Sequence, residues 1–255
     1  MNSISANLNI MIKAAEKASK ILIRDFGEVE KLQVSVKGPS DFVSNADFKA
    51  EKVIIEELNK SRKKFSIISE ETGIIKNSDE KNYWIVDPID GTNNFLHGIP
   101  HFAISIAHKH EDEIISGVIF DPIKNEMFFA EKNNGAYFNN QRIRVSKKKN
   151  IKDCLFATGG KKKIYKDLKT RETGSAALDL AYVASGRFDG YFQNNLNLWD
   201  IAAGVVLVME SGGKISNLDL SIIENIKIIA ASNSINEKML EKLNNFLLFF
   251  KFLLL

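Results

Sequence analysis

The chain has 255 residues, which is enough for one large domain or for two smaller halves that share a core. Apolar residues make up 44% and charged residues 26%, a balance typical of a soluble globular protein and not of a disordered or fibrous one. The net charge of +3 comes from 29 Lys and 6 Arg against 32 acidic residues, whereas nucleic-acid sites usually favour Arg. A single cysteine, Cys154, excludes an internal disulfide and a thiolate metal cage, and it fits a reduced cytoplasm.

The two ends of the chain differ in composition. The N-terminal residues lack the charged and apolar regions of a signal peptide, so the sequence predicts a cytoplasmic protein. Residues 246–255 are apolar except for Lys251, and this tail is too short to span a bilayer. A membrane-surface anchor, a subunit contact, a relic of a shifted reading frame and the apolar end of the last helix all fit the tail, with a membrane role the least favoured.

The first half of the chain mixes helices and strands. Apolar residues recur at steps of three and four over residues 8–26, which predicts an amphipathic helix that ends at Gly27. We expect a short strand over 32–36, a turn over 37–40 and a second helix from near Asp47. Apolar runs bounded by turn residues predict further strands. These are Phe65–Ile68, Tyr83–Val86, Phe102–His108, Glu113–Phe120 and Glu126–Phe129, with a hairpin over Tyr137–Ile143.

After about residue 150 the pattern changes to alternating strands and helices. Helices are predicted over Ser175–Ser185 and Ile201–Glu210, and a strand is predicted over Ile226–Ala231. No repeat and no low-complexity linker interrupts the chain. The predicted division is an α+β half at residues 1–145, an α/β half at residues 146–245 and the apolar tail at residues 246–255.

A strand that leads into two aspartates is the most informative stretch of the chain. The apolar residues 84–86 precede Asp87, and Pro88 fixes the backbone and holds Asp87 extended. Asp90 is expected to point back to the same place, together with the free carbonyl of Ile89. Carboxylates so close repel each other strongly unless cations lie between them. Hard divalent cations that prefer oxygen ligands, magnesium above all, match this set.

The two residues that follow favour a phosphate. Gly91 lets the chain turn and Thr92 can open a helix, so both amides are exposed at a helix N-terminus, where anions bind. A tight turn followed by a capped helix is the simpler alternative, because these residue types are common turn formers. That alternative is weakened by three further acids, Glu70, Asp200 and Asp47. Acidic residues at the ends of strands are a recurring feature of the ligand-binding sites of open α/β sheets.

These motifs resemble the signatures of the inositol monophosphatase family, within the superfamily that includes fructose-1,6-bisphosphatase. Residues 87–95, Asp-Pro-Ile-Asp-Gly-Thr-Asn-Asn-Phe, match the first signature, and residues 199–213, from Trp-Asp-Ile-Ala-Ala-Gly to Glu-Ser-Gly-Gly, match the second. Residues 41–47 and 69–71 match two smaller motifs in the right order. The resemblance runs from about residue 5 to residue 245, and it implies a layered αβαβα sandwich that combines α+β and α/β parts.

The resemblance implies a magnesium-dependent phosphomonoester hydrolase with two to three ions per active site. One ion would bind Glu70, Asp87 and the carbonyl of Ile89. A second ion would bind Asp87, Asp90 and Asp200. A third, weaker ion would bind at Glu70. Lithium inhibition and a homodimer are further properties that the resemblance implies.

The same resemblance assigns catalytic and substrate-binding residues. Glu70 and Thr92 would position the attacking water, and Asp47 would orient the Thr92 hydroxyl. The implied substrate-binding residues are Glu70, Ile89, Asp90, Gly91, Thr92, Gly174, Ser175, Ala176, Gln193 and Asp200. The substrate would be inositol monophosphate or a similar small polyol phosphate.

The chain departs from the family pattern at two places. Gln193 stands where the family usually has a glutamate that accepts hydrogen bonds from sugar hydroxyls, whereas an amide carries no charge and also donates. The segment between Gly160 and Arg171 is much shorter than in relatives. Both departures leave the substrate open.

Other functions fit parts of the sequence. Among enzymes, the alternatives are phosphatases of fructose-1,6-bisphosphate, histidinol phosphate or a nucleotide 3′-phosphate. From another class, some bacterial relatives join transcription antitermination complexes. In that role the lysine runs at 147–149 and 161–163 would bind the transcription machinery or nucleic acid, although such runs are more typical of solvated loops.

Overall fold

Five alternating layers of helices and sheets build the molecule. In this computed structural model, residues 4–32, 39–159, 168–216 and 218–242 are described. The helices, in chain order, are α1 (Ala6–Leu32), α2 (Pro39–Arg62), the short α3 (Thr92–Leu96), α4 (Ala176–Ala184) and α5 (Leu198–Glu210). Helices α1 and α2 form the first layer, and α4 and α5 form the third layer, between two sheets. Residues 233–242 are also helical, and they cover the outer face of the second sheet.

The first sheet has eight strands in the order β2-β1-β3-β4-β5-β6-β7-β8. Its strands are β1 (Phe65–Ser69), β2 (Gly73–Ile75), β3 (Asp79–Asp90), β4 (Ala103–His110), β5 (Glu113–Asp121), β6 (Glu126–Glu131), β7 (Gly135–Phe138) and β8 (Gln141–Arg142). Strands β1 and β3 pair in parallel, and the other neighbours pair antiparallel. The sheet therefore combines one parallel step with a meander of hairpins.

The second sheet has five strands in the order β10-β9-β11-β13-β12. Its strands are β9 (Leu155–Thr158), β10 (Lys169–Arg171), β11 (Gly190–Leu196), β12 (Gly213–Ser216) and β13 (Ile226–Ser232). A 3₁₀ turn, Ile151–Asp153, leads into it from the first sheet. Helix α4 lies between β10 and β11, and α5 lies between β11 and β12, so the two central helices are crossovers of this sheet.

The hydrophobic layers explain why the helices lie where they do. The side of the first sheet that carries Trp84 packs against α1 and α2. Its opposite side packs against the apolar helices α4 and α5, which also contact the second sheet. Helix α5 lies so close to β5 that a Cβ at Gly117 would be only 2.7 Å from the Cα of Ala203. Only glycine fits at that crossing.

The structure confirms the layered αβαβα sandwich, and it corrects the helix boundaries. Helix α1 does not end at Gly27 but continues to Leu32, where a strand was expected. A glycine inside a helix costs only about 1 kcal/mol, which the burial of the apolar face of a long helix offsets. Helix α2 begins at Pro39 and not near Asp47, as expected for a proline at the first position of a helix.

The remaining differences are small. The strands predicted over residues 65–143 and 226–231 are confirmed, with ends shifted by a few residues, and so are the helices that α4 and α5 form. Most of the strand predicted over 32–36 and half of the turn predicted over 37–40 lie outside the described residues, whereas Pro39 and Ser40 belong to α2. The shortened segment between Gly160 and Arg171 is described only from Leu168 onward, and the apolar tail at 246–255 lies outside the described residues. Among the helices that the structure describes, none is both long and apolar enough to cross a membrane.

A buried histidine, His108, lies on β4, an inner strand of the first sheet. The His108 ring is 5.4 Å from the ring of Phe65 and 5.2 Å from that of Trp84, and its Nε2 lies 2.9 Å from Asn82 Oδ1. Burial, and to a smaller extent the nearby charges of His110 and Arg62, lowers the pKa of His108 from 6.5 to about 4. The ring is therefore neutral in the folded protein at neutral pH. Its Nε2–H donates a hydrogen bond to Asn82 Oδ1.

We expect His108 to make the fold sensitive to acid. At about pH 7 the ring is neutral in both folded and unfolded chains, so it has no effect on the pH dependence there. As the pH falls through 6.5 toward 4, only the unfolded chain takes up the proton, and the free energy of unfolding falls by up to about 3 kcal/mol. Urea unfolding near pH 7 and near pH 4.5 measures this loss.

The variant His108→Gln retains a donor toward Asn82 but cannot titrate in this range. It should lose about 2–3 kcal/mol less than the wild type between the two pH values. The exposed His97, changed to Gln, is the matched control and should follow the wild type. Equal losses in His108→Gln and the wild type would show that another group causes the acid sensitivity.

Candidate active site

A bulge in β3 brings two aspartates to the same side of the first sheet. Asp87 pairs with Ser105 and Asp90 pairs with Ala103, so three residue steps on β3 face two steps on β4. In a regular strand, side chains three residues apart point to opposite faces. The one extra residue restores the alternation, and Pro88 is tolerated at the bulge because no ladder hydrogen bond is needed there. The Ile89 N–H instead donates to Asp87 Oδ1 at 3.0 Å.

Asp90 joins this bulge to the N-terminus of α4. Its Oδ1 accepts the N–H of Ala176 at 3.2 Å, and its Oδ2 accepts the N–H of Ala177 at 3.0 Å. The hydroxyl of Ser175, the residue that caps α4, also donates to Oδ2. A carboxylate at the N-terminus of a helix is stabilised by the unsatisfied N–H groups and by the helix dipole.

The third aspartate comes from the first turn of α5. The Asn197 N–H donates to Asp200 Oδ2 at 2.7 Å, which fixes the carboxylate at the start of the helix. Asp87, Asp90 and Asp200 each offer an oxygen, and these oxygens all lie within 4.8 Å of one another. Three carboxylates from two layers of the fold therefore meet at one place.

Glu70 lies beside this cluster, directly after β1. Its N–H donates to the Val86 carbonyl at 3.2 Å, which places Glu70 next to Asp87. Desolvation raises the pKa of Glu70 to about 7, and the charge of Asp200 contributes. The fully enclosed Asp87 has its pKa raised well above the usual range, by burial first and then by the charges of Glu70 and Asp90.

The other two carboxylates respond to the same crowding. Burial raises the pKa of Asp90 to about 7, although its bonds to Ser175 and α4 oppose the shift. Burial also raises the pKa of Asp200 to about 6. Without cations the ionised cluster is unfavourable, because each carboxylate is desolvated and faces like charges.

A cavity of about 490 Å³ opens on this cluster. Every residue of the expected substrate-binding set lines it, and so does Asp87. Further lining residues that the sequence did not single out are Asn94, Thr158, Gly159, Glu172, Thr173, Asp179, Asn195 and Leu196. Among the described residues that line the cavity, none is Lys, Arg or His.

Asp47 is the expected site residue that lies apart from the cavity lining. It is buried on α2, and its Oδ1 has no hydrogen-bond partner within the described part of the chain. Burial raises the pKa of Asp47 to about 8, with contributions from the charges of Glu71, Glu70 and Glu51. The Thr92 hydroxyl donates to the Ile89 carbonyl at 2.9 Å, not to Asp47.

A crossing of two loops forms another wall of the cavity. Gly91 and Gly174 both have positive φ, and a Cβ on Gly91 would be 3.2 Å from the Gly174 carbonyl oxygen. Asn94 ties this crossing together, because its Nδ2 donates to the carbonyls of His101 at 2.7 Å and Thr173 at 2.9 Å. The contact to Thr173 joins residues 79 positions apart, so no local pattern in the sequence could have revealed it.

The cavity wall on β11 carries Gln193. Its Oε1 accepts the hydroxyl of the fully buried Tyr191 at 2.9 Å, and its side chain packs against Gly159. The amide oxygen is thus already engaged within the protein. Alternating residues of one strand point to the same face, which explains why Tyr191 and Gln193 are partners.

The donor set of the cluster fits hard divalent cations. The carboxylates of Asp87, Asp90 and Asp200 offer the hard oxygen donors that magnesium prefers, and Ile89 lines the same cavity. No basic side chain is among the described lining residues, so within this wall nothing but protons or bound cations could neutralise the carboxylates. Glu70, Asp87, Asp90 and Asp200 are the side chains that could hold such ions.

Comparison with known proteins gives the same class. The sequence profile of the inositol monophosphatase family matches residues 5–247. Inositol-1-monophosphatase of Caulobacter vibrioides is 44% identical over 253 residues, which cover 91% of this chain and 99% of that protein. Nus factor SuhB of Haemophilus influenzae is 41% identical, over 92% of this chain and 95% of that protein.

A solved structure agrees with these relatives. The crystal structure of the extragenic suppressor protein suhB from Bartonella henselae matches with a TM-score of 0.85 and 46% identity, and the match covers 94% of this chain and 98% of that one. The fold and the acidic cavity thus define a metal-dependent phosphatase of the sugar phosphatase type. The chain belongs to the inositol monophosphatase family. The resemblance noted in the sequence is confirmed.

We expect Asn94→Asp to disrupt the loop crossing. The substitution replaces a double donor with a carboxylate that faces two carbonyl oxygens, so two hydrogen bonds are lost and a charge is partly buried. The free energy of unfolding should fall by about 2–4 kcal/mol. The neighbouring Asn93 is exposed on the same short helix, and Asn93→Asp is the matched control. Chemical denaturation of both variants decides the matter, and similar midpoints for the two would exclude this role for Asn94.

Proposed function

We propose that this phosphatase hydrolyses inositol monophosphate, or a similar small polyol phosphate, with magnesium ions bound at the carboxylate cluster. The observation that supports it most is the meeting of Asp87, Asp90 and Asp200 within 4.8 Å at a cavity of about 490 Å³. That volume lies in the usual range for small-molecule sites. The Caulobacter relative is named inositol-1-monophosphatase, which supports the choice of substrate.

Two to three magnesium ions form part of this proposal. The proposed ligands are Glu70, Asp87, the Ile89 carbonyl, Asp90 and Asp200. When bound, such ions would neutralise the phosphate and lower the pKa of water, as in other two-metal phosphatases. Lithium sensitivity and a homodimer belong to the same proposal.

The side chains around the cluster would orient the reactants. The Glu70 carboxylate and the Thr92 hydroxyl are proposed to hold the attacking water by hydrogen bonds, and the amides of Gly91 and Thr92 to hold phosphate oxygens. The water oxygen would then bond to phosphorus while the bond from phosphorus to the alcohol oxygen breaks. One proton of the water would pass to the alcohol oxygen, so that the alcohol leaves neutral, and the other would remain on the phosphate. Because Thr92 donates to the Ile89 carbonyl, the proposed orienting role of Asp47 requires the hydroxyl to change partner.

The alcohol half of the substrate is proposed to face Gln193. Its oxygen already accepts from Tyr191, which leaves one lone pair and the amide nitrogen for the substrate. A sugar hydroxyl is then met by a neutral amide and not by a charged acceptor. This residue is therefore expected to weaken the binding of polyols.

We expect Asp90→Asn to reduce activity by two orders of magnitude or more, because it removes one charge from the proposed metal site. Both Asp90 oxygens accept N–H or O–H groups, so an amide also faces donors and the melting temperature should fall. Asp87→Asn is the second variant, since one of its oxygens accepts from Ile89 and this bond can persist. The measurement is phosphate release from inositol monophosphate, with folding checked by circular dichroism.

The exposed Asp112, changed to Asn, is the matched control for these carboxylates and should retain full activity. Chelation by EDTA should abolish the wild-type activity, and added magnesium should restore it. Full activity in EDTA, or in a folded Asp87→Asn variant, would contradict the proposal.

Assembly with transcription machinery is a second candidate function. It is supported by the name of the Haemophilus relative, Nus factor SuhB, and by the exposed Lys147 and Lys149. Lys148 is less free, because it forms a 2.9 Å ion pair with the buried Asp189. A Lys147→Glu/Lys149→Glu variant with full phosphatase activity but a lost cellular function would favour the binding role. Loss of the cellular function in Asp87→Asn alone would favour the enzyme.

We expect Gln193→Glu to raise kcat/KM for inositol monophosphate about tenfold. One carboxylate oxygen would retain the Tyr191 hydroxyl, and the other would accept from substrate hydroxyls with a charge-assisted bond worth about 1–2 kcal/mol. A simple aryl phosphate has no such hydroxyls and should be hydrolysed as before. The exposed Asn194, changed to Asp, adds the same charge outside the cavity and serves as control. An equal response of both substrates would show that Gln193 does not contact the alcohol.

A further inference from the structure

A buried acid that the proposed mechanism does not use lies in the cavity wall. Asp179 is in the first turns of α4, it is only 2% exposed, and it lines the cavity. Its Oδ1 accepts the hydroxyl of Thr173 at 2.7 Å. Among the described residues it takes part in no salt bridge. Burying a carboxyl group is costly unless it is hydrogen-bonded, and the Thr173 hydroxyl supplies such a bond. The question is what this buried contact contributes to the site.

Thr173 is held by hydrogen bonds at its hydroxyl and at its carbonyl. Its hydroxyl oxygen, which donates to Asp179, also accepts the Ser175 N–H at 3.4 Å. Its carbonyl accepts from Asn94 at 2.9 Å. The segment of Thr173, Gly174 and Ser175 is therefore fixed on one side by α4 and on the other by Asn94 of the short helix α3.

This segment determines where the N-terminus of α4 lies. Gly174 has a φ of 86°, so the chain turns sharply between Thr173 and Ser175. Directly after the turn, Ser175 and the first two N–H groups of α4 bind Asp90. A shift of Thr173 would move these donors away from Asp90.

We propose that Asp179 is a positioning residue that acts through Thr173 to hold Ser175 and the N-terminus of α4 against Asp90, and thereby keeps Asp90 directed at the metal cluster. The inference rests on the proposed function, because it concerns the same cluster. Its main rival is a direct contact between Asp179 and the substrate, since Asp179 also lines the cavity. A positioning role depends on the hydrogen bond between Asp179 and Thr173, whereas a direct contact with the substrate depends on the charge of Asp179.

The substitutions separate these roles. Thr173→Val removes the hydroxyl at nearly constant shape, and Asp179→Leu removes the acceptor. Asp179→Asn removes the charge but retains an amide oxygen that accepts from Thr173. The matched control is Thr170→Val, in which the buried threonine of β10 lies outside the cavity lining. Readouts are the magnesium dissociation constant from calorimetry without substrate, and kcat and KM taken separately.

The positioning role predicts a consistent pattern. Thr173→Val and Asp179→Leu should each weaken magnesium binding about tenfold and lower kcat, the factor that corresponds to one lost buried hydrogen bond. The double variant should lose no more than either single one, because both remove the same contact. Asp179→Asn should remain within about threefold of the wild type, as should Thr170→Val. If Asp179→Leu does not fold, Thr173→Val carries the same test.

The opposite pattern would overturn the inference. An Asp179→Asn variant with a KM raised tenfold and unchanged magnesium binding, beside a Thr173→Val variant like the wild type, would mean that Asp179 contacts the substrate. Additive losses in the double variant would also exclude action through Thr173. A wild type that binds magnesium but hydrolyses no phosphomonoester would end the proposed function, while the calorimetry would still decide the role of Asp179.

Discussion

The carboxylate of Asp90 joins the bulge of β3 to the N-terminus of α4, and the rest of the cavity depends on this contact. Strand β3 belongs to the first sheet, whereas α4 is a crossover of the second sheet. Three donors from Ser175, Ala176 and Ala177 converge on one side chain. Asp90 therefore links the first sheet to a crossover helix of the second sheet at the point where the carboxylates gather.

The same contact limits how much repulsion the cluster can tolerate. Asp87 is 1% exposed, and the charges that raise its pKa come from Glu70, Asp90 and Asp200, which are all acidic, so in isolation the ionised cluster would favour separation of its elements. The N–H groups at the starts of α4 and α5 offset part of this cost by binding Asp90 and Asp200. The negative charge that remains is the reason that a cation fits the site. The crowded carboxylates that destabilise the fold are therefore the same groups that could bind a metal ion.

Much of this could be predicted from local sequence. Pro88 and Gly91 indicate a turn of the chain close to Asp87 and Asp90, and the helical pattern after Asp200 predicts its place at a helix start. The spacing alone does not explain the geometry, because two residues three apart on a strand face opposite ways, and the extra residue of the bulge reverses this. The predicted end of α1 at Gly27 was also wrong. The burial of a long apolar helix face stabilises the helix by more than one internal glycine destabilises it.

Contacts distant in sequence could not be predicted in the same way. The bonds of Asn94 to Thr173 and of Ser175 to Asp90 join segments about eighty residues apart, and nothing in either segment specifies its partner. Asp179 and Tyr191 read as ordinary members of an apolar helix and strand, and their polar roles emerge only when the sheets are assembled. Local periodicity identifies the face of an element, but the partner of a polar group on that face is set by packing.

The distribution of the cavity between the two sheets has a consequence for specificity. The carboxylates Glu70, Asp87 and Asp90 come from the first sheet, whereas Gln193 and Asn195 come from β11 of the second. We propose that a substitution on β11 changes which alcohol is accepted while the acidic cluster stays assembled, as the cluster is in this chain with Gln193 on β11. The groups proposed to face the phosphate lie at the bulge of β3 and at the start of α4, whereas the group proposed to face the alcohol lies on another strand. The reaction class and the choice of substrate would then depend on different residues.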